Sequence, residues 1–187
     1  LTCDGVVVRA IGGRRSRAGG CLSRQWQLER ELIAMIVLNG RRKWTRESYS
    51  IVVDYCLTVA KEFQVVFQDD LEFTATAWRL NGPPVDVADV TWHRSRKWPG
   101  TRIFDGRATL CRIRCSDVLG EWLKRGPMPH EWLAPEWPED PAFLRSDGST
   151  VLGSVSHEGD LWLELTSEEA TRLTEFPGLE HRLLRGR

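Results

Sequence analysis

The chain has 187 residues and lacks most features that assign a function at sight. Its formal net charge is zero, so no overall field draws it to nucleic acid or anionic lipid. No apolar run approaches the roughly 18 residues of a membrane span. No apolar segment near the start leads into a small-residue cleavage site, so no signal peptide is read. The five cysteines, Cys3, Cys21, Cys56, Cys111 and Cys115, are an odd number with no framework spacing. Reduced thiols in a cytoplasm are the simplest expectation. Glycine pairs occur at Gly12-Gly13 and Gly19-Gly20, but neither has the strand–loop–helix setting of a phosphate loop. Position 161, four after His157, is leucine, so the two-histidine zinc-protease motif is not met. No repeat and no linker divides the chain.

Lysine is scarce as well: four against 22 arginines, a bias typical of GC-rich coding DNA. The first residue is Leu1, and residues 1–34 are rich in arginine and paired glycines with little periodicity after Val6-Val7-Val8. We read 1–34 as a non-native or disordered extension, with translation starting at Met35, and 35–187 as one domain. A genuine basic arm is the alternative. Apolar content of 41% and charged content of 28% are ordinary for a globular protein and provide a core for one domain.

The patterning predicts an α+β fold: a mainly antiparallel sheet with a C-terminal three-strand meander, covered by two or three helices. Thr45 caps a helix whose stripe is Ile51, Tyr55, Val59 and Phe63. Leu71–Trp78 alternates as a half-buried strand, and Val85–Trp92 reads as an irregular edge strand. Residues 94–100 read as a loop, and Asp105-Gly106 as a hairpin turn. Thr109–Cys115 is a strand with Cys111, Ile113 and Cys115 on one face. Ser116 or Asp117 caps a short helix burying Val118, Leu119, Trp122 and Leu123. After an ordered loop, 129–141, come strands 142–145, 151–157 and 161–165. Thr166-Ser-Glu-Glu169 is a capping box that opens the last helix.

Three stretches are Trp98-Pro-Gly-Thr101, Glu136–Gly148 and Gly153–Glu169. This series resembles that of small bacterial proteins with no established activity, over roughly residues 95–180. The resemblance implies the meander and the start at Met35, and transfers no catalytic role.

The chemistry-bearing residues form no convergent catalytic set. His157 beside Glu158 and Asp160 suggests acid–base work, but alternation along a strand would send His157 and Glu158 to opposite faces. Pro138 and Pro141 hold the residues before them extended, stiffening the Trp137 loop. That loop is expected to place Glu139 and Asp140 at the rim of a shallow pocket near His157. Cys111 and Cys115, on a core face, read as buried hydrophobes rather than metal ligands. No metal and no cofactor is expected. Trp92, Arg94, Arg96, Lys97, Trp98 and Arg102 interleave aromatics with positive charge. Such a stretch suits an acidic protein surface, or single-stranded nucleic acid through Arg94–Arg102.

The candidate binding residues are therefore Trp98, Arg102, Trp137, Glu139, Asp140, His157 and Glu158. The expectation is a non-enzymatic, cytoplasmic protein-interaction module of immunity or accessory type. The alternative is a small hydrolase using His157 with a carboxylate of the Glu136–Asp140 loop.

Overall fold

The computed structural model describes residues 8–10, 34–39, 44–69, 78 and 81–175. Its strands are β1 (Val8–Ala10), β2 (Ala34–Asn39), β3 (Glu62–Phe67), β4 (Val90–Ser95), β5 (Lys97–Trp98) and β6 (Thr101–Arg102). They continue with β7 (Ala108–Arg114), β8 (Glu139–Leu144), β9 (Thr150–Val155) and β10 (Asp160–Leu165). The helices are α1 (Arg46–Val59), α2 (Asp117–Arg125) and α3 (Ser167–Glu175). Eight strands form one antiparallel sheet in the order β1-β2-β10-β9-β8-β3-β7-β4, and β5 pairs with β6 alone. The fold is α+β, with the C-terminal meander β8-β9-β10 inside the sheet.

Local chemistry explains the helix ends. Thr45 accepts from the Ser48 N–H at 3.1 Å, and the Ser48 hydroxyl accepts from the Thr45 N–H at 3.1 Å. Ser116 caps α2 through the Leu119 N–H. At α3 the Glu169 carboxylate takes the Thr166 N–H at 2.8 Å while Thr166 Oγ1 takes the Glu169 N–H, closing the box. α1 buries Tyr49, Val52, Val53, Tyr55 and Cys56, whereas Ile51 and Val59 are only half-buried. Phe63 does not extend that helix; Ala60 ends it, and Phe63 belongs to β3. Val118 is exposed rather than on the packed face of α2, which is formed by Leu119, Gly120 and Leu123.

The main core lies between the helices and one face of the sheet. It joins α1, α2 and Leu173 of α3 to Phe63 and Val65 of β3, Cys111 and Ile113 of β7, and Leu161, Leu163 and Leu165 of β10. The alternate residues of β3 and β7 point to the other face, where Val66, Leu110 and Ala108 pack with Trp98 in a smaller cluster. Trp98 reaches it from the β5–β6 hairpin, which replaces the loop expected at residues 94–100. Gly100, at φ 77°, seats that hairpin: a Cβ there would lie 2.5 Å from the Trp162 ring. Ala108 pairs with Ser95 of β4, so Asp105-Gly106 is not the turn of a hairpin joining 103–104 to β7.

Part of the expected organisation lies outside the described residues. Of the strand read at Leu71–Trp78, only Trp78 is described, and it is helical, its carbonyl accepting from the Gly82 N–H. Residues after Glu175 are also outside. Residues 8–10, within the stretch read as an extension, form β1 and pair with Ala34–Ile36 of β2. No helix among the described residues is long and apolar enough to cross a membrane.

Candidate functional site

β8 begins at Glu139, three residues earlier than the strand read at 142–145, and its register against β3 is broken. Gln64 faces Ala142, but Val66 faces Glu139, so Asp140 and Pro141 together stand opposite Val65. This is a β-bulge, and Asp140 takes φ 50° in it. Pro141 therefore does not hold Asp140 extended, as the general rule for pre-proline residues would have it. The bulge has a chemical consequence. Neighbours on a regular strand point to opposite faces, yet here consecutive carboxylates come together. One ligand atom from each of Glu139, Asp140 and His157 lies within 4.8 Å of the others.

Each acid is held by donors. Asp140 Oδ2 accepts from Trp98 Nε1–H at 2.7 Å and Oδ1 from the Ser156 N–H at 2.7 Å. The Asp140 N–H donates to Ser156 Oγ at 2.9 Å. Ser154 Oγ donates to the Pro141 carbonyl at 2.7 Å. Glu139 Oε2 accepts from Gln68 Nε2 at 2.6 Å. Burial raises the Glu139 pKa above the ordinary carboxylate range; Gln68 opposes the shift, and the Asp140 charge adds to it.

The acids are not at a pocket rim. Glu139 is 7% and Asp140 1% exposed. His157 does not lie on a strand; β9 ends at Val155, and His157 and Glu158 sit in the exposed turn 156–159, closed by Gly159 at φ 71°. Their side chains are therefore not forced apart: His157 Nε2 is 3.8 Å from Glu158 Oε1. Ser156, the first residue of that turn, is buried against Asp140.

The other expected site residues separate into three places. Trp98 is 4% exposed and its indole N–H is committed to Asp140, so it is part of the clamp. Arg102 is exposed on β6, directly opposite Lys97 of β5. Trp137 lines a groove of about 630 Å³ with Trp122, Leu133, Arg125, Glu131 and Glu136, a lining that does not include Glu139 or Asp140. The three stretches 98–101, 136–148 and 153–169 do meet, through Trp98–Asp140, Asp140–Ser156 and Gly100–Trp162. Cys111 is buried, and its thiol is pushed up to about 12 by that burial, which removes it from nucleophilic chemistry.

Sequence reasoning missed two features. Lys97 and Arg102 were both visible as cations, but only the hairpin sets them side by side. Edge strand β4 was read as irregular, and its continuation through Arg94 and Ser95 was missed. The comparisons add no relative: no protein-family model matches the chain, and no curated protein or solved structure matches it.

Proposed function

We propose that this chain is a protein-interaction module that takes an extended, acidic segment of a partner along β4 and the β5–β6 hairpin. The observation that carries the reading is the cross-strand pair Lys97–Arg102. Like charges directly opposite each other destabilise a hairpin, and an anionic partner relieves that repulsion. Both cations are exposed, as are Arg96 and Arg107, and none of the four is in an ion pair among the described residues. Arg94, by contrast, is already matched by Asp69.

β4 supplies the second element. It ends the eight-stranded sheet, and its outer edge pairs with no strand among the described residues. An open edge accepts an added strand through main-chain hydrogen bonds. Trp92, 53% exposed on this edge, is a residue type that anchors protein interfaces. Cations on an edge also guard against self-association, but guarding does not require two of them face to face. Single-stranded nucleic acid is less well served, because Trp98, the aromatic at the centre of the basic run, is buried and cannot stack a base. A cytoplasmic accessory or immunity-type role beside a larger partner fits a module of this kind.

The test is a calorimetric titration with a short peptide alternating Glu with Thr and Val. Saturable binding that weakens with salt, and is abolished in the Lys97→Glu/Arg102→Glu variant, is expected. Absence of peptide binding overturns the proposal. So does tight binding of oligothymidylate with none of the peptide, which assigns the edge to nucleic acid.

A further inference from the structure

We propose that Glu139, Asp140 and His157 form a site for one divalent cation of the class that accepts mixed imidazole and carboxylate ligands, such as Zn²⁺ or Mn²⁺. The three donor atoms lie within 4.8 Å of one another. A six-coordinate ion about 2.1 Å from its ligands holds neighbours ~3 Å apart and opposite ligands ~4.2 Å apart. His157 is exposed, so its ring has room to turn and shorten the longer separations.

An independent observation points to a cation. Glu139 and Asp140 are both buried, yet no lysine or arginine pairs with either among the described residues. Even less buried carboxylates are compensated elsewhere: Glu169, 13% exposed, has Arg145, and Glu62, 37% exposed, has Arg112. Buried carboxylates are normally paired or bound to metal. The existing hydrogen bonds suit the second role. Gln68, the Trp98 indole and the Ser156 N–H each occupy one lone pair of a carboxylate oxygen and orient it, leaving others for an ion. With His157 in an exposed turn, the outer coordination positions are left to water or a partner's ligand.

The measurement is calorimetric titration of the full chain with MnCl₂ and ZnCl₂. Manganese separates this site from the cysteines, because thiolates disfavour it. One equivalent of Mn²⁺ is expected to bind, with affinity reduced about 10-fold or more in His157→Ala. The His130→Ala control, at another exposed histidine, is expected to bind as the unaltered chain does. His157→Ala changes only an exposed turn side chain, and its melting without metal is expected to match the unaltered protein. No saturable one-equivalent binding overturns the proposal. So does binding that survives His157→Ala, or that falls equally in His130→Ala.

Discussion

Replacing Asp140 by alanine is expected to destabilise the protein by about 3 kcal/mol. The change leaves two buried donors without acceptors, the Trp98 indole N–H and the Ser156 backbone N–H. Each such loss costs about 1–3 kcal/mol. Alanine at φ 50° adds about 1 kcal/mol, since aspartate tolerates the left-handed region better. These contributions sum to about 3–7 kcal/mol, but removing the Asp140 charge also relieves its repulsion of Glu139. The lower end is therefore the expectation. For a domain of this size, that corresponds to a thermal midpoint lower by on the order of 10 °C. Asp140→Asn retains one acceptor and the backbone tolerance, so about half the effect is expected. Urea unfolding followed by tryptophan fluorescence measures both variants, with an unchanged m-value marking a true stability change. An Asp140→Ala protein within about 1 kcal/mol of the unaltered chain would refute the clamp. This prediction goes against the sequence-based expectation of Asp140 at the rim of a shallow pocket, because burial and three hydrogen bonds now stand against it.

Two further outcomes follow from the packing. Trp132→Ala is expected to cost about 3–5 kcal/mol, since the fully buried ring meets Phe63, Trp122 and Trp137 at 5.7–6.0 Å; Trp137→Ala, half-exposed, is expected to cost less in the same urea assay. Glu169→Gln is expected to cost about 1.5–3 kcal/mol at neutral pH, by loss of the charge-assisted bonds from Arg145 that tie β8 to α3. Burial pushes the Glu169 carboxyl up, but the Arg145 and Thr166 bonds together outweigh it and leave its pKa below the usual range. Its contribution is thus fully present above about pH 4.3, the unfolded value, and is lost as pH falls through the lower folded value. Thermal midpoints of the two proteins should converge at acid pH, and a difference independent of pH would contradict this.

How much of the fold could be read in advance depended on whether one face of an element meets water. β7 alternates cleanly at Cys111, Arg112, Ile113 and Arg114, and the C-terminal meander is punctuated by Asp147-Gly148 and Gly159. Both were legible. β3 was not, because Phe63 to Val66 is buried on both faces and carries no period of two. Phe63 also keeps a helix-like spacing from Val59, which drew it into α1. The approach of Glu139 and Asp140 to His157 was anticipated in outline. Its cause was hidden, since a left-handed aspartate before proline runs against local preference and exists only because Trp98 and Ser156 hold it. The turn at 156–159 was hidden too, because Ser154–His157 continues the alternation of β9 without a break.

The central claim, that β4 is the docking edge, is tested most directly by amide hydrogen exchange read residue by residue with and without the acidic peptide. Along an edge strand, alternate N–H groups point away from the sheet and are free to pair with an added strand. The account predicts that the peptide slows exchange at alternate residues of Val90–Ser95 and at Lys97 and Arg102, with little change in β8–β10. Protection confined to the groove beside Trp122 and Trp137, or no change at β4 at saturating peptide, would contradict it.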